Sequence, residues 1–556
     1  MGKYAIGIDF GTLSVRTLLI DIKTGEELLT KIYEYPHGVM VDNIPTGEEL
    51  GIDWALQHPK DYETGLIETL KGIMDENLVN NDDIVGIGVD FTSSTILPTT
   101  KEGIPLCYLS EYKHNPHAYA KLWNHHSAQY CADEIYKIAS ETNQKWLSLY
   151  GGKISSEWMI PKIMQIVKES PKVYEASGRI LEACDWITWL LTGEEVRSAC
   201  AAGYKAFYHH EMGYPSKEFF KSLNSKMENV VDEKLSTNIK SIGECLGYLT
   251  KDMAEKTGLK EGTPVGVSII DAHASVAASK IDGPGKMLII MGTSSCHMLL
   301  SETEEGIPGV CGIVKDGILP GYFGYEAGQC CVGNHFAWFK ENALPAKYKE
   351  EAKKLGISDF DLLNKKLENY KVGQSGLIAL DWFNGVRSTL MDFDLTGMIL
   401  GMTLKTKPEE IYRALIEATA YGTRVIIEQF EKHGVPVNEI CVAGGIPLKN
   451  PMLVQIYADV CNKEIKIIDT KQSGALGSAI LGIAAAKEEV TGYKNANDVA
   501  RHLGKVKEGT FKPIHENSVT YDSLYKEYLL LNDYFGKGAN DVMKRLKNIK
   551  ATAKNK

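Results

Sequence analysis

Near the start of the chain, an apolar run over residues 4–9 leads into Gly11 and Thr12, and a second apolar run follows over residues 15–21. This pattern predicts two buried strands joined by a tight hairpin. The backbone N–H groups of such a turn and the Thr12 hydroxyl are suited to bind an anion, and Asp9 at the strand end is suited to its cation. An ordinary hairpin with an edge aspartate fits the same residues.

The hairpin pattern recurs near the middle of the chain. An apolar run over residues 286–291 ends in Gly292-Thr293-Ser294-Ser295, and another apolar run follows over residues 297–300. Gly-Thr-Ser is a common turn composition and is weak evidence alone. The second copy favours a shared anion-binding role for both turns.

The second half continues with a helix that is marked at both ends. Thr406 and Glu409 have the spacing of a capping box, Pro408 falls in the first turn, and Gly434 follows the last apolar position. A strand is predicted next, over residues 439–442.

The first half has the same order, with a helix over residues 61–74 and a strand over residues 84–89. Two halves that repeat a hairpin, a helix and a strand predict an α/β fold of two duplicated domains facing each other across an interdomain cleft. Phosphate-binding hairpins would line both sides of that cleft. We therefore predict a nucleotide between the domains.

Composition agrees with this architecture and excludes several classes of protein. At 556 residues the chain is too long for one hydrophobic core. The net charge of -11 and the lack of a basic stripe argue against a nucleic-acid partner. No apolar run approaches the roughly 20 residues that span a bilayer, and no signal-peptide pattern precedes the first strand, so we expect no membrane association.

The cysteines and the basic residues add two expectations. Most of the eleven cysteines lie in apolar stretches, as Cys184, Cys200 and Cys441 do, which is typical of reduced core residues in a cytoplasmic protein. The clearly basic segment is residues 544–556, which is polar and is predicted to be a frayed tail.

Three segments together resemble the FGGY carbohydrate kinases, the sugar-kinase branch of the actin-like ATPases. They are Gly7-Ile8-Asp9-Phe10-Gly11-Thr12, Gly292-Thr293-Ser294 and Ala443-Gly444-Gly445. The resemblance implies two ribonuclease H-like domains, residues 1–275 on the sugar side and 276–540 on the nucleotide side, with residues 541–556 as a basic flexible tail. It also implies ATP and Mg²⁺ as cofactors, a small-molecule sugar as substrate, and a homodimer.

Within that family, one segment differs between the branches that act on different sugars. In this chain it is residues 122–129, Leu-Trp-Asn-His-His-Ser-Ala-Gln. Glycerol and xylulose kinases usually place Asp and Arg after this Trp, whereas the branch acting on L-ribulose has a His-His-x-Ala-Gln run like this one. The resemblance therefore implies phosphorylation of L-ribulose to L-ribulose 5-phosphate in L-arabinose breakdown. D-ribulose, ribitol and D-xylulose are alternative substrates, because Asn124 replaces an expected Lys and Asn334 replaces an Asp found in many relatives.

Asp271 is the candidate general base, because the predicted strand over residues 265–270 ends there and fixes its carboxylate at the mouth of the cleft. A helix N-cap that opens residues 272–280 is the alternative role for this Asp. The resemblance favours the base, which would orient the attacking sugar hydroxyl.

The resemblance also implies the nucleotide site. Asp9 is expected to hold Mg²⁺ through water, since that ion keeps several waters and takes one or two carboxylates. The hairpins would hold the phosphates, and the later glycines would leave room for the adenosine near a predicted helix over residues 451–461. The nucleotide-binding residues are Gly11, Thr12, Gly292, Thr293, Ser294, Gly444, Gly445, Pro447 and Asn450.

For the sugar, the resemblance implies an apolar wall at Trp123 and polar contacts from Lys205 and Glu326, with Asp90 and Ser93 in the same pocket. Each of these three also fits a plainer role: Trp123 as a core residue, Lys205 as a solvated lysine, and Glu326 as a carboxylate at a helix start. A sugar site must pair its buried polar groups, and this pairing gives strong discrimination between substrates.

A non-enzymatic nucleotide-gated module, such as an actin-like filament or an Hsp70-like chaperone, would share the Asp9 hairpin. A chaperone of that kind needs a peptide-binding domain after its ATPase core, and only about 70 residues follow residue 489. The sequence therefore favours a sugar kinase over such a module.

Overall fold

The computed structural model describes residues 2–554, which fold around two central β-sheets. The strands are β1 (Tyr4–Phe10), β2 (Ser14–Asp21), β3 (Glu27–Glu34), β4 (Leu56–Gln57), β5 (Ile84–Phe91), β6 (Ile96–Thr99), β7 (Ala120–Lys121), β8 (Arg179–Glu182), β9 (Arg197–Ser198), β10 (Ile239–Lys240), β11 (Cys245–Tyr248), β12 (Pro264–Gly266), β13 (Ile269–Ile270), β14 (Gly285–Met291), β15 (Ser295–Ser301), β16 (Gly312–Lys315), β17 (Phe323–Gln329), β18 (Ile378–Leu380), β19 (Met398–Leu400), β20 (Val437–Ala443) and β21 (Glu464–Ile467).

The helices surround these sheets and fill the space between them. They are α1 (Pro59–Asp75), α2 (Gln129–Glu141), α3 (Met159–Glu169), α4 (Pro171–Ala176), α5 (Ala183–Thr192), α6 (Ala199–Lys205), α7 (Lys217–Leu223), α8 (Lys251–Thr257), α9 (Asp271–Ala277), α10 (Gly333–Asn342), α11 (Ala346–Leu355), α12 (Asp359–Leu367), α13 (Pro408–Lys432), α14 (Gly445–Lys449), α15 (Pro451–Cys461), α16 (Ser473–Ala484), α17 (Glu488–Thr491), α18 (Ala496–Leu503), α19 (His515–Gly536) and α20 (Val542–Lys554). Across residues 2–554, no helix combines the length and the apolar character needed to cross a bilayer.

The two central sheets repeat one topology. The N-terminal sheet runs β11-β12-β5-β1-β2-β3, and the C-terminal sheet runs β16-β17-β15-β14-β20-β21. In each, an antiparallel hairpin (β1–β2 or β14–β15) leads through a helix to a parallel strand (β5 or β20) beside its first strand. The predicted duplication of a hairpin, helix and strand is therefore present.

Helix α16 joins the two halves because glycines in the N-terminal sheet let it approach closely. A Cβ atom at Gly7 would lie 1.8 Å from the Ala475 carbonyl oxygen, and one at Gly88 would lie 1.7 Å from that of Ser478. Only glycine permits such contact between a strand and a helix backbone. Apolar residues of α16 also share one buried core with strands of both sheets, so the two halves pack as one body around the cleft.

Two predicted element boundaries are wrong. The cap of α13 is shifted by one residue: Glu410, not Glu409, accepts the N–H of Lys407 at 2.6 Å, while Glu409 accepts a hydrogen bond from Tyr348, 61 residues earlier. The strand predicted over residues 265–270 is interrupted between β12 and β13, both of which pair with β5.

The basic C-terminal segment also differs from the prediction. Residues 542–554 form helix α20 instead of a frayed tail, and Lys544 and Lys547 pair with Asp392 and Asp394, each at 2.7 Å. The last two residues of the predicted tail, 555 and 556, lie outside the described residues. All eleven cysteines are free thiols and nine of them are buried, as predicted.

Candidate functional site

Three carboxylates meet at the carboxyl ends of strands in the N-terminal sheet. Asp9 on β1 and Asp90 on β5 are direct partners in the parallel ladder, one residue before each strand ends. Ile269 on β13 also pairs with Asp90, which brings Asp271, the first residue of α9, to the same edge. Residues predicted separately for the metal, the sugar and catalysis therefore lie together.

Burial is the largest influence on this cluster and raises the pKa of all three carboxyls. The negative charge of Asp9 adds to the effect on Asp90 and on Asp271, and the pKa of Asp271 rises to about 7. Within residues 2–554 the cluster has one ion-pair partner, Arg16, whose Nη1 lies 3.4 Å from Asp9 Oδ2. Three buried acids with a single cation beside them form an environment that a divalent cation would stabilise.

The oxygen atoms of Asp90 support the same conclusion. Oδ2 accepts a hydrogen bond from the Ser478 hydroxyl at 2.6 Å, but Oδ1 is buried and has no partner within residues 2–554. A buried acceptor without a partner is costly. Asp9, whose side chain is 13% exposed, stands beside it and faces the cleft. The carboxylates of Asp9 and Asp90 thus fit Mg²⁺, a cation that prefers oxygen ligands and retains water.

A backbone hydrogen bond closes each predicted phosphate hairpin, across four residues (11–14) in the first and three residues (292–294) in the second. The Gly11 N–H donates to Ser14 O at 3.0 Å, and the Gly292 N–H donates to Ser294 O at 2.9 Å. Thr12 is partly exposed and Gly292 is exposed, so their polar groups are available to a ligand. The first turn of α10 packs behind the second hairpin, which its backbone N–H groups hold in place. Both turns can therefore contact a phosphate chain.

Gly444 and Gly445 line a cavity of about 830 Å³ at the carboxyl ends of β20 and β21. Gly444 has φ +103, and a Cβ atom there would lie 2.2 Å from the Met291 carbonyl oxygen, so only glycine fits. The cavity is large enough for a nucleoside. Its other lining residues are Glu27, Thr30, Leu448, Lys449, Asp469, Thr470, Lys471, Gln472, Ser473 and Lys507.

Pro447 and Asn450 are not brought to this cavity, although both were predicted to bind nucleotide. Both residues are buried. The Asn450 side chain accepts the Leu453 N–H at 3.1 Å, which caps α15, and donates to the Tyr412 hydroxyl at 3.1 Å. Asn immediately before Pro at a helix start is a capping pattern that could have been read from the sequence.

On the sugar side, Lys205 and Glu326 form an ion pair across the two halves, with Nζ 2.9 Å from Oε2. Burial is the largest single influence and opposes both charges, but the charge and hydrogen bonds of the partner, together with neighbouring groups such as His273, outweigh it. The pKa of Lys205 is raised and the pKa of Glu326 is held well below its usual range. His273 on α9 also lies beside this pair, with Nε2 3.4 Å from Glu326 Oε2.

Trp123 connects the predicted sugar wall to the phosphate hairpin. Its indole Nε1 donates to the Thr12 hydroxyl at 3.2 Å, and the ring is partly exposed. Ser93 is also partly exposed, in the loop that follows β5. Asn124, beside Trp123, has a side-chain oxygen that is buried and without a partner in the described residues. Trp123 therefore lies at the first phosphate hairpin, and Ser93 lies just beyond the end of β5 that holds Asp90.

Lys162 is a residue of this site that the sequence did not reveal. Its Nζ donates to the carbonyl oxygens of Ser94 at 2.7 Å and Leu122 at 2.8 Å, in the loops that hold Ser93 and Trp123. Ser94 has φ +54, a left-handed conformation that is costly for a residue other than glycine. Lys162 is fully buried, and no sequence pattern points from it to partners 40 and 68 residues away.

Comparisons with known proteins agree with these features. The chain matches the N-terminal domain of the FGGY family of carbohydrate kinases over residues 4–278 and the C-terminal domain of that family over residues 287–486. A ribulokinase from Bacillus licheniformis is 54% identical over 539 residues, which cover 97% of this chain and 98% of the relative. A ribulokinase from Staphylococcus aureus strain Newman is 40% identical over 548 residues, 99% of each chain.

Solved structures share the architecture at much lower identity. A gluconate kinase from Lactobacillus acidophilus has a TM-score of 0.79 at 17% identity, covering 97% of this chain and 99% of that one. A ligand-bound xylulose kinase from the same organism has a TM-score of 0.78 at 17% identity, covering 96% and 99%. At this identity, the likeness establishes the two-domain fold alone.

Proposed function

This chain belongs to the FGGY family of carbohydrate kinases, and on that basis we propose that it transfers the γ-phosphoryl group of ATP to L-ribulose, giving L-ribulose 5-phosphate. The observation that supports this substrate is the similarity, at 40–54% identity over nearly the full chain, to proteins named ribulokinase. The reaction belongs to L-arabinose breakdown and takes place in the cytoplasm.

Asp271 is the proposed general base. Its carboxylate lies at the cleft edge, and a pKa of about 7 suits a group that accepts a proton near neutral pH. Its Oδ1 accepts the Ala272 N–H at 2.7 Å, which fixes the orientation of the carboxylate and leaves Oδ2 for the sugar hydroxyl. The N-cap position of α9 is Ile270 and has no side-chain cap, so the alternative N-cap role of Asp271 is not observed.

Phosphoryl transfer depends mainly on alignment and on neutralising the phosphate oxygens. The hairpins at Thr12 and Thr293 would hold the phosphates from opposite sides, and Asp9 with Asp90 would hold Mg²⁺. When bound, Mg²⁺ supplies positive charge to the phosphate oxygens. Arg16 adds a second positive charge beside Asp9.

The Lys205–Glu326 pair would hold the sugar hydroxyls. Because one partner comes from each half, a sugar bound there favours the closed cleft and excludes water from the phosphoryl group. The sugar therefore helps to assemble the site, and ATP hydrolysis without sugar is expected to be slow.

ADP release by the purified protein with ATP and Mg²⁺, with and without L-ribulose, tests this function. We expect L-ribulose to accelerate ADP release strongly and a phosphorylated pentulose to accumulate in equal amount. An unchanged rate with L-ribulose would refute the proposed substrate. Acceleration by D-ribulose, ribitol or D-xylulose instead would assign a different acceptor to the same site.

A further inference from the structure

The carbonyl and the hydroxyl of Thr12 are both held by side chains from one small sheet. The Gln57 amide Nε2 donates to the Thr12 carbonyl oxygen at 2.6 Å, and the Trp123 indole Nε1 donates to the Thr12 hydroxyl at 3.2 Å. Gln57 is the last residue of β4, and Trp123 lies two residues after β7, the strand that pairs with β4. This sheet therefore connects the predicted sugar wall to the first phosphate hairpin.

The orientation of the Gln57 amide is fixed by its two partners. The Thr12 carbonyl can only accept, so the amide nitrogen faces it, and the amide oxygen accepts from the Tyr62 hydroxyl at 2.6 Å. Gln57 and Tyr62 are both buried, and the Tyr62 ring packs against Phe10 and Phe91, the last residues of β1 and β5. These hydrogen bonds anchor Thr12 to the core at the ends of those strands.

The Trp123 contact decides which hydrogen bond the Thr12 hydroxyl can still make. An indole N–H only donates, so it occupies a lone pair of the hydroxyl and leaves the hydroxyl proton free for another acceptor. Within residues 2–554, no protein group accepts that proton. Thr12 is partly exposed in the turn predicted to hold phosphate, so an oxygen of a bound phosphate can accept it.

The second phosphate hairpin is held in a different way. The Thr293 carbonyl oxygen accepts the backbone N–H groups of Val332 and Asn334, at 2.9 and 3.1 Å. Backbone groups of the segment after β17 thus hold the second turn, whereas side chains of the sheet that carries the sugar wall hold the first. Substitutions at the sugar wall are therefore expected to affect the first turn.

We propose that Gln57 and Trp123 are positioning residues for phosphoryl transfer, which hold Thr12 so that its hydroxyl proton is directed to the phosphate chain of ATP. A donor fixed in advance stabilises the charge that develops on a phosphate oxygen without reorganising during the reaction. The inference rests on the proposed function and deepens it, because it gives Trp123 a second role beside contact with the sugar.

A double-mutant cycle tests this role. Trp123→Phe removes the indole N–H and keeps an aromatic wall, and Thr12→Val removes the hydroxyl and keeps the shape of the side chain. Values of kcat and of KM for sugar and for ATP are measured for the two single variants and the double variant. We expect each single variant to lower kcat/KM for ATP by about tenfold, the size typical of a lost hydrogen bond. The double variant should fall no further than Thr12→Val alone.

A role of Trp123 limited to the sugar wall predicts a different result. The smaller phenyl ring should raise the sugar KM by the same factor with and without Thr12→Val, so this effect stays additive. Losses in kcat/KM for ATP that multiply in the double variant would overturn the positioning role.

Trp186→Phe is the matched control. The Trp186 indole is also buried and donates to a backbone carbonyl outside the candidate site, that of Gly103, at 2.8 Å. This variant should lower the melting temperature and leave kcat/KM for ATP unchanged. An equal loss of kcat/KM in Trp186→Phe would attribute the effect of Trp123→Phe to general destabilisation and overturn the proposal.

Gln57→Met removes the second contact and should also lower kcat/KM for ATP, with most of that loss absent when Thr12→Val is already present. If Gln57→Met fails to fold, the cycle with Trp123→Phe still gives the answer. Failure of the proposed function is seen separately, in the unaltered protein. If a polyol other than L-ribulose accelerates ADP release most, the cycle is run with that polyol. If no polyol accelerates ADP release, the proposed function falls, and the positioning role falls with it.

Discussion

Lys205 and Glu326 approach each other across the interdomain cleft to 2.9 Å, and their side chains are only 5% and 13% exposed. A buried charge that loses its partner costs about 3–5 kcal/mol. We therefore predict that Lys205→Met lowers the free energy of unfolding by that amount and raises the KM for sugar. Urea unfolding checks the first effect. In a double-mutant cycle with Glu326→Gln the losses should be less than additive, and full additivity would contradict a direct pairing.

Replacing Asp271 by Asn should abolish turnover and leave ATP binding intact, because the amide cannot accept the hydroxyl proton. In the unaltered protein, kcat/KM should fall as the pH drops below about 7, where Asp271 becomes protonated. A rate that stays constant from pH 8 to pH 5.5 would exclude a base with this pKa.

The same carboxyl makes stability depend on pH. Its pKa is raised in the folded state, so the unfolded chain loses this proton first and the folded state is destabilised as the pH rises from about 4 to about 7. Asp271→Asn removes that penalty. The melting temperature of the variant should exceed that of the parent at pH 8, and the difference should vanish near pH 4. An equal difference in melting temperature at pH 8 and at pH 4 would refute the assignment of the raised pKa to Asp271.

Lys162 should act as a positioning residue for the sugar loops. Lys162→Met removes the donors to Ser94 O and Leu122 O, and the sugar KM should rise about tenfold while the KM for ATP stays constant. Lys234→Met is the matched control, since Lys234 is also buried and donates to one carbonyl, that of Ser177, at 2.6 Å. The control should lose stability and keep its sugar KM.

The contact of α16 with the N-terminal sheet predicts a severe effect of added side-chain volume. Gly88→Ala would place Cβ 1.7 Å from a backbone oxygen, so we expect loss of soluble protein or a free energy of unfolding lowered by more than about 3 kcal/mol. Gly72→Ala in α1, where the nearest atom is 3.5 Å away on a flexible lysine, should be neutral or stabilising by about 1 kcal/mol. Equal stabilities for both variants would contradict the close packing.

The repeated pattern of apolar runs was sufficient to predict the duplicated fold. The apolar runs that mark strands and the residues that mark helix ends depend only on neighbouring positions in the sequence. The helix over residues 451–461 has the predicted bounds, and the family match confirms the kinase over a non-enzymatic nucleotide-gated module. A rule based on local sequence spacing fails where a side chain instead bonds to a residue far away in the sequence. Glu409 fits a capping box by spacing, yet Tyr348 takes its carboxylate and Glu410 closes the cap.

The places of Asp9, Gly292 and Gly444 at the cleft were predictable because each belongs to a motif, and their binding roles stay predictions. Lys162 belongs to none, and its partners lie 40 and 68 residues away, so only the folded chain brings it to the cleft. The nucleotide contact predicted for Asn450 stays a prediction, and in the structure its side chain caps α15.

The most direct test of the proposed activity is the ratio kcat/KM for L-ribulose, D-ribulose, ribitol, D-xylulose and glycerol, measured by ADP release with saturating ATP and Mg²⁺. We predict that L-ribulose gives the highest value and that glycerol, which cannot span the sugar pocket, gives the lowest. A higher value for another polyol would contradict the assignment of L-ribulose and of the sugar contacts at Lys205 and Glu326.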